Sequence, residues 1–409
     1  MSSETERAGS FSQTMEANAV RSQRAGAHGN PHVLTITPFY PRKGNESGGC
    51  FISEPLTELS EAGVHSSVLA AEPFYRPRPY NSASQAEAVW LRYPALPGGL
   101  GLASSGWGLF MRLRSAAEKL HARTPIDLIQ AHGALPCGHA AALLSGLLKI
   151  PFVVTVHGLD AFSSRQVSGW PGEWCARVSR KVYRAARRVI GVSQHVCDEV
   201  QAGIGGASRV SVVYNGVNPS LFTPGTDPMQ PVLLTIGNLI PTKGHELMVH
   251  ALSELRPDFP EITWELIGEG PEWNRIRVLA EGLGVLNSIR FQGRRRRAEV
   301  ADAFRQCTVF VLPSHYEGLG CVYLEAMASG KPAIGCLGQG IEEVIRHGEN
   351  GWLIPSNGRE DLVNGLRLLL RDEAQRRRIG TSARETILQS FTLEHQAQRL
   401  LTIYRESLV

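Results

Sequence analysis

The sequence predicts an α/β protein of two doubly wound, Rossmann-like domains facing a central cleft, and three observations predict it. The chain has 409 residues, too many for one ordinary hydrophobic core. From Pro31 onward short β-branched runs alternate with longer helical patterns, the signature of parallel strands wrapped by helices. A segment rich in turn formers, from Asn218 to Pro231, divides this alternation into two series.

In the first series the predicted strands are Val33 to Ile36, Ser67 to Leu69, Leu128-Ile129, Phe152 to Val156, Val189 to Val192 and Val210 to Val213. In the second they are Val232 to Ile236, Trp264 to Ile267, Ile289 to Phe291, Thr308 to Leu312 and Ala333-Ile334, and Glu360 to Val409 reads as helices. The expected organisation is a disordered tail over 1–30, an acceptor-side domain over 31–222, a donor domain over 223–390, and a final helix over 391–409 crossing back to the first domain. Open α/β sheets bind ligands beyond the carboxyl ends of their strands. The chemically informative residues lie at those ends: Gly48-Gly49, His157-Gly158, Ser193, Gly237, Gly268-Glu269-Gly270 and Pro313-Ser314.

Composition narrows the function classes. Hydrophobic residues make up 43% and charged residues 20%, which is globular, and a net charge of +4 gives no case for nucleic acid as a partner. The densest basic run, Arg294 to Arg297, reads as a solvated loop, with an anionic contact as the alternative. Seven scattered cysteines without a Cys-x-x-Cys pair argue for a reducing compartment and against a zinc site. No apolar run approaches the roughly 20 residues that span a bilayer, and the first 30 residues lack a signal-peptide core. The expected location is cytoplasmic, with the inner face of the membrane as a second placement. Trp107, Phe110, Met111 and Arg114 share one side of a helix; core packing is the favoured reading and an interfacial membrane patch the alternative.

The strongest signal runs from Ser314 to Pro332. A strand ends at Leu312, a glycine-bearing turn follows, and a helix is expected from about Leu319 until Gly330 and Pro332 stop it. The backbone at Gly318, Leu319, Gly320, Cys321 and Val322 then offers unpaired N–H groups and a positive dipole end, suited to a diphosphate. Glu317 precedes the helix and Glu325 follows eight positions later, at most about 12 Å along the axis. Two carboxylates so spaced cannot share a proton, but they can hold hydroxyls at two ends of an extended ligand.

This segment resembles the Glu-x7-Glu motif of the family-4 retaining glycosyltransferases, which adopt the two-Rossmann GT-B fold. The resemblance covers nearly everything from Val33 to the C-terminal helices. It includes Gly48-Gly49, Thr155-Val156-His157-Gly158, Asn215-Gly216-Val217-Asn218, Lys243-Gly244, Gly340 to Val344 and Asn350-Gly351. It implies that Glu317 binds hydroxyls of the donor sugar, Glu325 the nucleotide ribose, Lys243 the diphosphate, and Gly49 approaches the diphosphate from the other domain. His157 would sit beneath the anomeric carbon. The family usually has Arg at the position of Asn238; here a neutral amide stands beside Lys243, and helix N–H groups or another Arg would make up the charge. Asp160, two residues past Gly158, either positions an acceptor or caps a local turn. His132 and His139 are read as structural.

The implied partners are a nucleoside-diphosphate sugar and a glycan or lipid-linked acceptor, with envelope, capsule or exopolysaccharide synthesis as the leading setting. No Asp-x-Asp occurs, so no metal and no resident cofactor are expected. A nicotinamide dehydrogenase is disfavoured because the first strand leads into Thr37-Pro38-Phe39-Tyr40-Pro41 rather than Gly-x-Gly-x-x-Gly. A nucleotide-sugar 2-epimerase of the same shape and a non-catalytic sugar-nucleotide-binding protein remain as alternatives.

Overall fold

The computed structural model describes residues 30–42, 45–76, 88–96, 99–162, 167–205 and 209–409. The expected N-terminal tail lies outside them except for Asn30. Two parallel sheets organise the chain. The first holds β1 (His32–Thr37), β2 (His65–Pro73), β3 (Ala88–Tyr93), β4 (Leu128–His132), β5 (Phe152–Val156), β6 (Arg188–Gly191) and β7 (Val210–Val212), in the order β3-β2-β1-β4-β5-β6-β7. The second holds β8 (Val232–Ile236), β9 (Thr263–Ile267), β10 (Ile289–Gly293), β11 (Val309–Val311), β12 (Ala333–Cys336) and β13 (Trp352–Ile354), ordered β10-β9-β8-β11-β12-β13. Central strands such as β4, β5 and β12 are buried at every residue, because helices cover both faces of a parallel sheet.

The helices of the first half are α1 (Cys50–Glu61), α2 (Gly99–Arg123), α3 (His139–Leu148), α4 (Gly169–Ala185) and α5 (Gln194–Ile204). Those of the second are α6 (His245–Leu255), α7 (Trp273–Gly282), α8 (Arg297–Gln306), α9 (Cys321–Ala328), α10 (Arg359–Arg371), α11 (Glu373–Ser390) and α12 (Leu393–Leu408). Strands β3 and β13 were not expected. The first lies beyond a proline-rich stretch, and the second is only three residues long, too short for a period to show. Helix α9 begins two residues later than Leu319, because Gly320 takes a left-handed φ of 81° and acts as its N-cap.

The two halves are stitched where the chain crosses between them. Val217 N–H donates to Phe391 O (3.0 Å) and Leu393 N–H to Val217 O (3.1 Å), so the outgoing and returning strands bond to each other. A Cβ on Gly216 would lie 2.4 Å from Thr392 O, which reserves that position for glycine. Helix α12 then packs on α1 and beneath the first sheet, where Leu400, Ile403 and Tyr404 join Val33, Leu128, Val153 and Ile190. The Tyr404 hydroxyl donates to Gln130 Oε1, whose amide donates to Thr155 Oγ1 at 3.0 Å.

The α2 stripe is a correction. Its buried face carries Ala103, Leu109, Leu113 and Ala117, whereas Trp107 (57% exposed) and Met111 (51%) face outward with Arg114. Only Phe110 of the proposed core set is partly buried. The sequence offers two apolar faces on this helix, and its packing against the Ala134–Gly138 turn, α3, α4 and β3 covers one of them.

Because Tyr404 is fully buried and anchors α12, Tyr404→Ala is expected to cost about 3–5 kcal/mol in denaturant unfolding. Tyr404→Phe, which removes only the bond to Gln130, should cost about 1 kcal/mol.

Candidate active site in the interdomain cleft

The carboxyl edges of the two sheets meet, and the meeting surface is made of glycine. On the first domain β5 ends in His157-Gly158, with Gly158 at φ 135°. On the second, β11 leads through buried Leu312, Pro313 and Ser314 into Tyr316-Glu317-Gly318. A Cβ on Gly318 would lie 2.0 Å from His157 O, and one on Gly340 would lie 1.8 Å from Gly318 O. Around this seam Ser193 Oγ donates to Gly318 O (2.5 Å), and Tyr316 OH donates to Glu199 (2.9 Å). Glu343 accepts from the first N–H groups of α5, Gln194 and His195, both at 2.7 Å.

Lys243 and Glu317 come together. Gly244, at φ 70°, packs so closely on Pro313 that a Cβ would lie 2.1 Å from its carbonyl, and this swings the Lys243 turn against β11. Lys243 Nζ donates to Glu317 Oε1, which also accepts from Ser314 Oγ at 3.0 Å. Gln339 Oε1 accepts from the Glu317 N–H at 2.9 Å. Helix α9 starts immediately beyond, capped only by the backbone of Gly320, so its positive end points into the same space. Leu319 is buried in the hydrophobic core and Val322 is half-buried against it. Asn238 is exposed at the end of β8, and its carbonyl accepts from His245 Nε2 (3.2 Å).

Glu325 sits one turn deeper on α9 and is 4% exposed. Arg297, the first residue of α8, donates from Nη1 to Glu325 Oε1 at 2.6 Å. Its Nε and Nη2 form a fork on Glu54 Oε1 (2.9 Å) and Oε2 (3.0 Å), and Glu54 belongs to α1 of the other domain. Glu325 Oε2 is buried without a hydrogen-bond partner. Burial pushes the Glu325 carboxyl up, and Arg297 works against that shift. Burial likewise raises the Cys50 thiol to about 12, so this cysteine at the start of α1 is a neutral neighbour. The arginine run is therefore not uniformly solvated: Arg297 is drawn into a buried ion system, while Arg296 stays exposed with Glu299.

Gly49, at φ 91°, is the N-cap of α1, and a Cβ there would lie 2.5 Å from Tyr40 N. Beside Gly48, Ser47 Oγ donates to Arg295 O at 2.9 Å, so the glycine turn touches the second domain. The next helix residue, Phe51, packs edge-on to the His157 ring with centroids 5.0 Å apart. His157 Nε2 lies 2.9 Å from His132 Nδ1, and the two rings stack. Burial lowers both imidazoles, so the pair is neutral and one ring donates to the other. His157 Nδ1 has no partner. Asp160 Oδ1 accepts from His157 N–H (2.9 Å), bracing the turn, while burial raises its carboxyl.

Sequence reasoning missed three of these residues. His132, read from the sequence as structural, is the last residue of β4, while His157 follows the last residue of β5. Arg297 and Glu54 carry no local signal, because their pairing exists only across the cleft. Among the described residues no group of three His, Cys, Asp or Glu side chains is arranged to hold a metal ion.

Since Gly318 has no room for a Cβ, Gly318→Ala is expected to part the domains and enlarge the radius of gyration in small-angle scattering. Gly146→Ala, on α3 with nothing within 4 Å, should leave it unchanged.

Comparison with known proteins agrees with this architecture. Residues 53–221 match the family model for Glycosyltransferase Family 4, and residues 220–386 match Glycosyl transferases group 1. An uncharacterized glycosyltransferase of Methanocaldococcus jannaschii is 30% identical over 69% of this chain and 76% of its own. D-inositol 3-phosphate glycosyltransferase of Corynebacterium efficiens is 30% identical over 69% of this chain and 71% of its own. Among solved structures, sucrose-phosphate synthase from Thermosynechococcus elongatus superposes with a TM-score of 0.74 at 20% identity, covering 92% of this chain and 98% of that one. Anabaena HepE in complex with UDP-glucose gives 0.70 at 21% identity, covering 91% and 99%. With both halves matched in order and two parallel sheets closing on one cleft, the chain belongs to the group 1, family 4 glycosyltransferases of the GT-B fold.

Proposed function

We propose that the chain is a retaining, metal-independent hexosyltransferase that moves a sugar from a nucleoside-diphosphate donor to a glycan or lipid-linked acceptor. The observation that carries this reading is the Lys243–Glu317 pair at the start of α9, packed against the His157–Gly158 turn of the facing domain. The UDP-glucose complex of Anabaena HepE, which shares the fold, supports a nucleotide-sugar donor.

In this reading an arriving diphosphate competes with Glu317 for Lys243. Lys243 and the first N–H groups of α9 then stabilise the charge that develops on the leaving nucleotide. Glu317, released from the lysine, accepts hydrogen bonds from donor-sugar hydroxyls, and Gly48-Gly49 let the α1 turn approach from the other side. An inverting enzyme needs a general base opposite the leaving group, and a double displacement needs a nucleophile there. His157 is buried, neutral and bonded to His132, which suits it to shelter a developing cation rather than to attack. Attack from the face of the departing nucleotide, with the diphosphate oxygen helping to take the acceptor proton, retains configuration. Asp160 acts here through the His157 turn or on the acceptor.

The acceptor side of the first domain supports a lipid-linked acceptor and peripheral membrane contact. Trp107 and Met111 stand exposed on α2 with Arg112 and Arg114, and exposed Phe74 lies under Arg92 and Arg112 at 5.5 and 5.9 Å. Aromatic, aliphatic and basic groups on one face suit an anionic bilayer surface. No helix among the described residues is long and apolar enough to cross one.

With the donor identified from UDP-, GDP- and ADP-sugars by thermal shift, NMR of the product formed in EDTA should show retained anomeric configuration. An inverted centre, or loss of turnover in EDTA restored by magnesium or manganese, would refute the mechanism. Lys243→Ala should lower kcat at least about a hundredfold, and more than Asp160→Asn does. For the surface, wild-type protein should co-sediment with phosphatidylglycerol-containing vesicles, and the Trp107→Ser, Met111→Ser double variant at least about tenfold less. No sedimentation of the wild type would remove the membrane contact.

A further inference from the structure

The basic run after β10 supplies one residue that the proposed reaction does not yet use. Arg297 is held by two carboxylates from two domains, Glu54 of α1 and Glu325 of α9, and its side chain is 16% exposed. Three of its nitrogens are committed: Nε and Nη2 to Glu54 and Nη1 to Glu325. One guanidinium against two carboxylates leaves a surplus negative charge, flanked by the thiols of Cys50 and Cys321 at the starts of α1 and α9. That surplus has an address, because Glu325 Oε2 is buried with no donor on it, and the Glu325 side chain is only 5% exposed. A buried carboxylate oxygen without a donor calls for a neutral donor, since a second cation would compete with Arg297 and an anion would be repelled. A vicinal diol supplies such donors.

We propose that Arg297 is a positioning residue for ribose recognition: it orients Glu325 through one oxygen and leaves the other to the ribose diol. Through its fork on Glu54 it also ties the occupied nucleotide site to the first domain. The inference rests on the nucleotide-sugar reading and deepens it. Glu54 lies on the helix that starts at the Gly48-Gly49 turn, whose neighbour Ser47 bonds Arg295 O at 2.9 Å. The run from β10 into α8 therefore holds the first domain at two points, at Ser47 beside the glycine turn through the Arg295 carbonyl and at Glu54 of α1 by charge. Ribose recognition on the second domain and the position of the glycine turn on the first become one event, because the same guanidinium serves both. Lysine could not replace it, since a single ammonium cannot fork to one carboxylate and donate to another in a plane.

Calorimetry with UDP, GDP and ADP and their 2′,3′-dideoxy analogues separates the outcomes. Wild-type protein is expected to prefer the ribonucleotide that it binds over its dideoxy form by at least about tenfold. Arg297→Met should shrink that preference to within about twofold, by weakening the ribonucleotide far more than the dideoxy form. Arg297→Lys, which keeps the charge and guards against a misfolded methionine variant, should still lose at least about threefold of it. Glu54→Gln should retain the preference but enlarge the radius of gyration of the nucleotide complex, because only the tie to the first domain is cut. Equal weakening of both ligands in the arginine variants, with the preference intact, would mean a merely structural arginine and overturn the proposal. An unchanged radius in Glu54→Gln would overturn the coupling. If the wild type binds a nucleotide without preferring ribose, the inference fails while the donor reading stands; if it binds none, the donor reading itself fails.

Discussion

Two backbones pass at the centre of this molecule with no space for a side chain between them. Gly318 lies so near the His157 carbonyl that a single methyl would stand 2.0 Å from its oxygen, and Gly340 closes on Gly318 from behind at 1.8 Å. Everything in the cleft takes its position from that contact. It sets how close β5 of the first sheet comes to the turn after β11 of the second, and so it sets the distance between His157 and the start of α9. A bulkier turn would give the same two domains with the same residues and a wider, wetter cleft, where each charge would count for less.

The cleft then carries two ion systems of similar design. Lys243 faces Glu317 and Arg297 faces Glu325, and each carboxylate is largely withdrawn from water. Burying such pairs is not an efficient route to stability, since desolvation takes back much of the Coulombic gain. The Glu317 system is a cation and an anion paired at the start of α9; the Glu325 system is anchored from both domains and has one oxygen without a donor. Lys331 and Arg376 on Asp227 form a third such system, near the linker and away from the cleft.

The return of α12 to the first domain fits the same economy of contacts. The paired backbone bonds at Val217 and Leu393 make the double crossing a short ladder, and Tyr404 carries the last helix into the polar centre of the first sheet through Gln130 and Thr155. Ser47, Glu54, Ser193 and Glu343 add further side-chain contacts between the domains across the cleft.

Most of the architecture was legible in the chain because parallel strands buried on both faces read as short continuous β-branched runs, and the linker reads as turn formers. Strands β3 and β13 escaped, one beyond a proline-rich stretch and one too short for a pattern. Glu317, His157 and the glycines could be picked out because strand ends and helix starts are local features and an α/β sheet gathers its strand ends at one edge, whereas Lys243 was named only through the family resemblance. The partners that define their chemistry were not local. His132 becomes a neighbour of His157 only through the pairing of β4 with β5, 25 residues apart. Arg297 looked like part of a solvated run because its surroundings in sequence are charged; its surroundings in space are Glu54, 243 residues away, and a buried Glu325. The outward face of α2 was likewise settled by what packs beside it. By itself the sequence determined which segments become strands and helices and which residues stand at their ends, since these depend on near neighbours. Only the tertiary structure decided which charges meet and which apolar face stays wet, because Coulomb interaction and burial depend on distance in space.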